Sequence, residues 1–404
     1  MGVGMAPWPV SSIPALAEEF LSFPIISNLI FRGFCVDLRL QTYAISTEPL
    51  SMKTANPEDF TPRQLGFYFP PEWAKHASTW LSWIHKEESW PGKLESAYPA
   101  YCEFIGKLSF HERVNINVAG AEMEASARNR LKAFDVNWNH IRFHHFPTND
   151  AWCRDHGPAF LLHKTEKGKR AIVDWAYNAW GEKYIPFDLD DVIPTRVAEW
   201  LQLPVFYPSI VMEGGSVEFN GAGTLLTTTA CLLNENRNPH LNREQIEWYL
   251  KEYYHAEQIL WLEEGIVGDD TDGHIDDIAR FVKPDTVLAV TEQDPADENY
   301  RILQENLKML QSFSLINGKS LNVVELPMPR PVVWEDQRLP ASYANFYIGN
   351  GAVYVPTFQD AKNDPVALQT IQRCFPDRKI YGIDSTHLIW GLGSFHCLSQ
   401  QEPA

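Results

Sequence analysis

Near its C-terminal end the chain carries a cysteine in a turn of small residues, Gly391-Leu392-Gly393-Ser394-Phe395-His396-Cys397, followed by a short polar tail. A cysteine so placed is a poor core-filler and a good candidate nucleophile. A free thiol titrates at about 8.5, so a cation or imidazole beside it is needed to raise the thiolate fraction at neutral pH. The bland alternative is a buried apolar cysteine. His396 is next in sequence, but in an extended segment it would point away.

Three further segments could serve such a thiol. In Gly273-His274-Ile275-Asp276-Asp277 an extended backbone would put His274 and Asp276 on one face, one to move protons and one to hold charge. The same pair could begin a metal site with Cys397, although such a site needs three or four convergent ligands. A capped turn around Asp272 and Gly273 is the plain reading. Glu213 follows the apolar run 208–212 and precedes two glycines that would allow close backbone approach. Its best use would be to orient an imidazole; otherwise it is a surface turn carboxylate. Asn149-Asp150-Ala151-Trp152-Cys153-Arg154-Asp155 is dense in polar groups beside an aromatic ring. Asp155 could bind a guanidinium by paired, charge-assisted hydrogen bonds and Trp152 could add a cation–π face. The competing reading is an Arg154–Asp155 surface pair ahead of a Gly-Pro turn. One thiol, one imidazole and three carboxylates suit a planar, cationic substrate.

The rest of the chain must position these groups. Its 404 residues suffice for one large domain or two ordinary ones, and 45% hydrophobic with 21% charged residues is ordinary for a globular protein. A formal net charge of −18 leaves no basic stripe for nucleic acid and permits steering of a cation into an acidic cleft. The six cysteines, Cys35, Cys102, Cys153, Cys231, Cys374 and Cys397, form no CxxC pair and no disulfide framework, which makes a reducing cytoplasm the default. The first basic residue is Arg32, so there is no positive n-region of a signal peptide, and no apolar run is long enough for a membrane. Residues 1–51 read as a leader, disordered or a misassigned start, because Met52 opens a segment of different character. Residues 52–404 read as a single catalytic domain.

Short apolar runs recur at 79–83, 159–162, 224–227, 286–290 and 352–355, with starts 80, 65, 62 and 66 residues apart. This spacing is the size of one supersecondary unit. Helical patterns follow several of them: 242–254, with Asn242 and Gln245 as a capping box, then 298–312 with Ile302, Leu303, Leu307 and Leu310 at helical spacing, then 364–374. Five strand–helix units predict a cyclic α/β repeat.

The four segments, read together as N-x-x-W-x-R-D, E-G-G, G-H-x-D-D and H-C-x-x-Q-Q, resemble the agmatine deiminases of the guanidino-group-modifying (pentein) superfamily, which includes bacterial peptidylarginine deiminases. PPEW at 70–73, DWAYNAWG at 174–181, CLLNENRNP at 231–239 and SYANF at 342–346 match as well, so the resemblance spans about Pro70 to Pro403. It implies a five-bladed α/β propeller (pentein) with pseudo-five-fold symmetry. It implies Cys397 as nucleophile, His274 as general acid/base, Glu213 as the partner of His274, and Asp155 and Asp276 as the grip on the guanidinium, with Trp152 and Asn345 as pocket residues. The terminal loop departs from the family's GGGNIHC and reads GLGSFHC, with Leu392, Ser394 and Phe395 exchanged.

The implied activity is hydrolysis of agmatine to N-carbamoylputrescine and ammonia through a covalent thiouronium. The implied partner is a small cationic guanidino compound, with no metal or organic cofactor, no nucleic acid, no membrane, and a homodimer or higher oligomer. Peptidylarginine or free arginine is the alternative substrate, and it would call for a cation to hold the carboxylate. A non-catalytic binding module of the same fold, or a metal hydrolase on His274, Asp276 and Cys397, are the readings of other classes.

Overall fold

The computed structural model describes residues 60–404, so the expectations for residues 1–51 lie outside the described residues. All five apolar runs are strands, in an α/β architecture of five small sheets and one two-stranded hairpin. Each small sheet contains the same core motif: an antiparallel strand pair, then a helical crossover, then a parallel third strand. Ala352–Thr357 illustrates it, pairing antiparallel with Tyr347–Gly349 and parallel with Lys379–Asp384 across the helix Asn363–Cys374. The unit of Val217–Phe219, Thr224–Thr228 and Gln258–Leu262 crosses through Arg243–Tyr253. That of Ala279–Lys283, Thr286–Thr291 and Asn322–Pro327 crosses through Tyr300–Ser312.

Local signals explain the helices. Asn242 accepts from the Gln245 amide and Gln245 from the Asn242 amide, a complete capping box. Ile302, Leu303, Leu307 and Leu310 turn one face of their helix into the core, each worth about 1.5–3 kcal/mol of burial. The spacing misplaces one unit. Four of the runs are the central strand, between an antiparallel and a parallel neighbour. Ala159–His163 instead lies between Phe67–Tyr68 and Arg170–Val173, and the latter carries the parallel partner Val205–Phe206. Both are short apolar strands, so periodicity alone could not choose between them.

The polar tail is also a strand. Ser399–Pro403 pairs antiparallel with His76–Ser82, whose parallel neighbours are Arg113–Asn117 and then Ile141–His144. The last strand thus completes the sheet that His76–Ser82 begins. Its side chains are buried because they bond across the sheet, as when the Trp80 indole donates to Glu402 at 2.9 Å.

A buried charge cluster ties the units together. Glu72, ahead of His76–Ser82, meets Arg154 at 3.1 Å and Arg280 at 3.0 Å, and accepts the Ile348 amide at 2.7 Å. Arg280 is fully buried and also bonds Glu218 at 2.9 Å. Removing one partner of such a cluster strands the others in low dielectric. Arg280→Met is therefore expected to cost about 3–5 kcal/mol of stability, read as a lowered urea midpoint; an unchanged midpoint would show that the cluster is not structural.

Candidate functional site

The candidate residues occupy one recurring position: the turn immediately ahead of the first strand of an antiparallel pair. Arg154 and Asp155 precede Ala159–His163, Glu213 precedes Val217–Phe219, His274 and Asp276 precede Ala279–Lys283, Asn345 precedes Tyr347–Gly349, and Cys397 precedes Ser399–Pro403. Short turns let side chains from five sheets meet while the strands carry the packing.

Two glycines let the turns close on one another. A Cβ on Gly214 would stand 2.2 Å from the Arg154 carbonyl oxygen. A Cβ on Gly215 would stand 2.6 Å from His274 Nδ1, 2.8 Å from Asp155 Oδ1 and 3.2 Å from Asp276 Oδ2. Gly215 thus marks where the imidazole and two carboxylates converge. Its amide donates to Asp155 Oδ1 at 2.9 Å, and the Trp180 indole donates to Oδ2 at 3.0 Å.

Asp276 sits in a single 3-10 turn, Ile275–Asp277, so the expected extended segment is corrected. The turn forms because Asp269 accepts the amides of Gly273 at 3.0 Å and His274 at 3.1 Å, a side-chain bond that competes with strand pairing. His274 still reaches the site, with Nδ1 3.7 Å from Asp155 Oδ1. Glu213 and His274 are not hydrogen-bonded to each other. Glu213 Oε1 instead accepts from Arg237 Nε at 2.6 Å, while Glu213 Oε2 and both His274 nitrogens have no hydrogen-bond partner among the described residues. They remain neighbours: ligand-type atoms of Glu213, Cys231 and His274 lie within 4.8 Å of one another.

Cys397 Sγ lies 2.9 Å from Asn345 Nδ2 and 3.5 Å from Asp276 Oδ2. Asn345 is a clamp for the loop, since its Oδ1 accepts the amides of Ser394 at 3.2 Å, His396 at 3.1 Å and Cys397 at 3.3 Å. His396 does not point away. The backbone here is a turn, and the ring spans Asp276 Oδ2 at 2.7 Å and Glu72 Oε2 at 2.8 Å. Arg154 is likewise no surface residue; it is buried, and its pair is Glu72. Leu392 takes the left-handed conformation with φ 70°, at a cost of about 1–2 kcal/mol, and its side chain joins the cavity wall. Phe395 is buried against Phe104 at 4.8 Å between ring centroids.

The cavity above Cys397 holds about 170 Å³. Trp152, Trp180, Tyr184, Trp334 and Trp390 give it aromatic walls. Its lining includes Glu88, Asp150, Asp155 and Asp270 and, among the described residues, no arginine or lysine. Trp152, stacked on Trp90 at 5.3 Å, is fixed rather than mobile.

The buried charges set the protonation states. Burial, with Asp276 and Glu213 nearby and His274 opposing, pushes the Asp155 carboxyl up to about 6. Burial lowers His274, but Asp155, Cys231 and Asp276 outweigh it and hold the ring well above its ordinary value. Burial and the charges of Asp276, Asp277 and Asp155 push the Cys397 thiol well up, with the Asn345 hydrogen bond opposing. These shifts favour the protonated thiol at Cys397 and the imidazolium at His274.

Two three-residue groups have metal-ligand spacing, Glu213–Cys231–His274 and Asp276–Asp277–Cys397. Neither is the set His274, Asp276 and Cys397 considered from the sequence. In the first, Arg237 already neutralises Glu213, and a divalent cation would meet that guanidinium. In the second, the Asn345 amide already serves both Asp277 and Cys397.

The sequence reasoning missed four contributors: Glu72, Arg237, Arg280 and the ring of His396. Glu72, Arg237 and His396 lie inside motifs that had been noticed. Arg280 carried no signal, because nothing in its strand distinguishes it from a surface arginine.

Residues 68–403 match the model of the Porphyromonas-type peptidyl-arginine deiminase family. The chain is 35% identical to the agmatine deiminase of Ectopseudomonas mendocina, over 85% of this chain and 97% of that protein. It is 34% identical to the agmatine deiminase of Medicago truncatula, over 85% of this chain and 98% of that one. The solved structure of the agmatine deiminase of Enterococcus faecalis superposes with a TM-score of 0.79 at 31% identity, covering 86% of this chain and 99% of that chain. On this agreement of sequence and fold, the chain belongs to the Porphyromonas-type peptidyl-arginine deiminase family.

Proposed function

We propose that this protein is an agmatine deiminase, a hydrolase of the guanidino C–N bond, with Cys397 as nucleophile, His274 as general acid/base, Glu213 as the supporting charge behind His274, and Asp155 and Asp276 as the guanidinium grip. The observation that carries it is the convergence of His274, Asp155 and Asp276 around Gly215, with the Cys397 sulfur 3.5 Å from Asp276 and with Asp155 and Cys397 both lining an aromatic cavity that carries further carboxylates. The relatives named agmatine deiminases support the same substrate. Arginine or a C-terminal peptidylarginine would need a cation for its carboxylate, and the lining offers none. For the fold, the recurring turn-plus-strand-pair unit supports five blades about a pseudo-five-fold axis, each giving one turn to the site.

The chemistry follows from the charges. An entering guanidinium neutralises Asp155 and Asp276, whose negative charge keeps the proton on sulfur, and the thiol loses that proton to solvent. The thiolate attacks the guanidinium carbon, and the His274 imidazolium protonates the departing nitrogen as ammonia leaves. Water then adds to the thiouronium, losing one proton to His274. The adduct expels the Cys397 thiolate as the ureido carbonyl forms and the second proton passes to solvent. The fixed carboxylates and aromatic walls hold the reactants in place and exclude bulk water.

Ammonia release measured in parallel with agmatine, free arginine and a C-terminal arginine peptide is expected with agmatine only, and to vanish in Cys397→Ala. Release from the peptide or arginine instead would overturn the substrate; undiminished release from the variant would overturn the thiol chemistry. Because the ionised carboxylate binds the cation, kcat/KM for agmatine is expected to fall as pH drops below about 6, where Asp155 takes up a proton, while kcat at saturation falls less. A flat kcat/KM between pH 7 and 5 would remove Asp155 from the grip. Gly215→Ala is expected to lower kcat/KM by about 100-fold or more with unchanged circular dichroism, since its methyl group would displace His274 and Asp155; near-normal turnover would deny that these groups must converge.

A further inference from the structure

We propose that His396, backed by Glu72, is a positioning residue for the deimination: a cationic clamp between two carboxylates that fixes Asp276 to receive the guanidinium. This rests on the proposed guanidino chemistry at Asp276 and adds a member that acts through it without touching substrate.

Asp276 has its two oxygens in different situations. Oδ2 faces His396 Nδ1 at 2.7 Å, Asn345 Nδ2 at 3.4 Å and Cys397 Sγ at 3.5 Å. Oδ1 is buried with no hydrogen-bond partner among the described residues. A buried carboxylate oxygen without a donor is costly, and a substrate N–H is the donor this site lacks. Holding Oδ2 therefore aims Oδ1.

His396 is built to hold it. Both ring nitrogens face carboxylate oxygens, Asp276 at 2.7 Å and Glu72 at 2.8 Å. A neutral imidazole has one N–H and would set a lone pair against one of these oxygens; only the doubly protonated ring donates to both. Its backbone is fixed as well, because its amide donates to Asn345 Oδ1 at 3.1 Å and its carbonyl accepts from Arg154 Nε at 3.3 Å. Glu72 cannot swing away, since the Ile348 amide takes Oε1 while Arg154 and Arg280 flank Oε2.

The charges around Asp276 are His396, His274 and Arg280 on the positive side and Asp155 and Asp277 on the other, with the neutral Cys397 thiol 3.5 Å from Oδ2. Burial pushes the Asp276 carboxyl up, and the His396 hydrogen bond and charge, with His274 and Arg280, bring it below its ordinary value. Without the His396 charge, burial is opposed by two cations in place of three. Asp276 would then take up protons at higher pH and lose its grip on a cation.

The test has a spectroscopic arm and a kinetic arm. In wild-type protein with 15N-labelled histidine, the His396 signals, assigned by difference from His396→Asn, are expected to show two protonated ring nitrogens at neutral pH. One unprotonated nitrogen would overturn the clamp whether or not agmatine is the substrate. In the kinetic arm, His396→Asn keeps a donor near Asp276 but no charge, and Glu72→Gln removes the outer carboxylate at constant shape. Each is expected to raise KM for agmatine about 10-fold or more, with kcat changed less. A purely structural residue would lower the melting temperature and leave KM in place, and that result in either folded variant would overturn the proposal. If the wild-type protein does not turn over agmatine, the substrate assignment fails and the nitrogen signals still decide the clamp.

Discussion

One buried carboxylate, Glu72, organises the polar interior. It meets Arg154, Arg280 and His396 with side-chain distances of 2.8–3.1 Å. Those partners come from the turn before Ala159–His163, the strand Ala279–Lys283 and the turn before Ser399–Pro403. An isolated ion at this depth would cost far more than the net stability of a domain. The charges are tolerable only as a set, so the turns that carry them must arrive together. This couples the assembly of the sheets to the assembly of the site.

The recurrence of the site turns follows from the same economy of design. Strand pairs and crossover helices bury the apolar surface, as with Ile302, Leu303 and Leu310. The turns before them are left to carry groups that no core would accept. Close approach is then limited by Cβ atoms, and Gly214 and Gly215 remove that limit where three turns touch. What results is a buried set of a thiol, an imidazole and two carboxylates, of which Cys397 and Asp155 face the aromatic cavity. In such a medium the carboxylates repel one another and bind a delocalised cation strongly. On the proposed chemistry, a cation that relieves them would also release the proton from sulfur.

Much of this was legible in the chain. The five strand runs, the helices after three of them and the Asn242–Gln245 capping box depend on local periodicity and side-chain–backbone bonds, which are encoded within a few residues. The chemistry-bearing turns stood out because Gly214, Gly215 and Gly273 flank charged residues that no ordinary turn needs. The errors have a common cause. The segment around His274 looked extended until the Asp269 carboxylate, five residues away, proved to hold it in a turn. The tail after Cys397 reads only as polar, and its pairing with His76–Ser82 makes it a buried strand. A partner outside the motif decided each.

The sequence by itself determined the residue types of the site, the local elements that bear them and the family to which the chain belongs. Only the tertiary structure decided which groups touch. Glu213 gives one oxygen to Arg237 while remaining a neighbour of His274, and His396 turns inward to join Glu72, 324 residues away, with Asp276. The reason is that hydrogen bonding and charge pairing are short-ranged and blind to chain order. Their partners are chosen by which turns the packed strands bring within about 3 Å, and no local pattern records that choice.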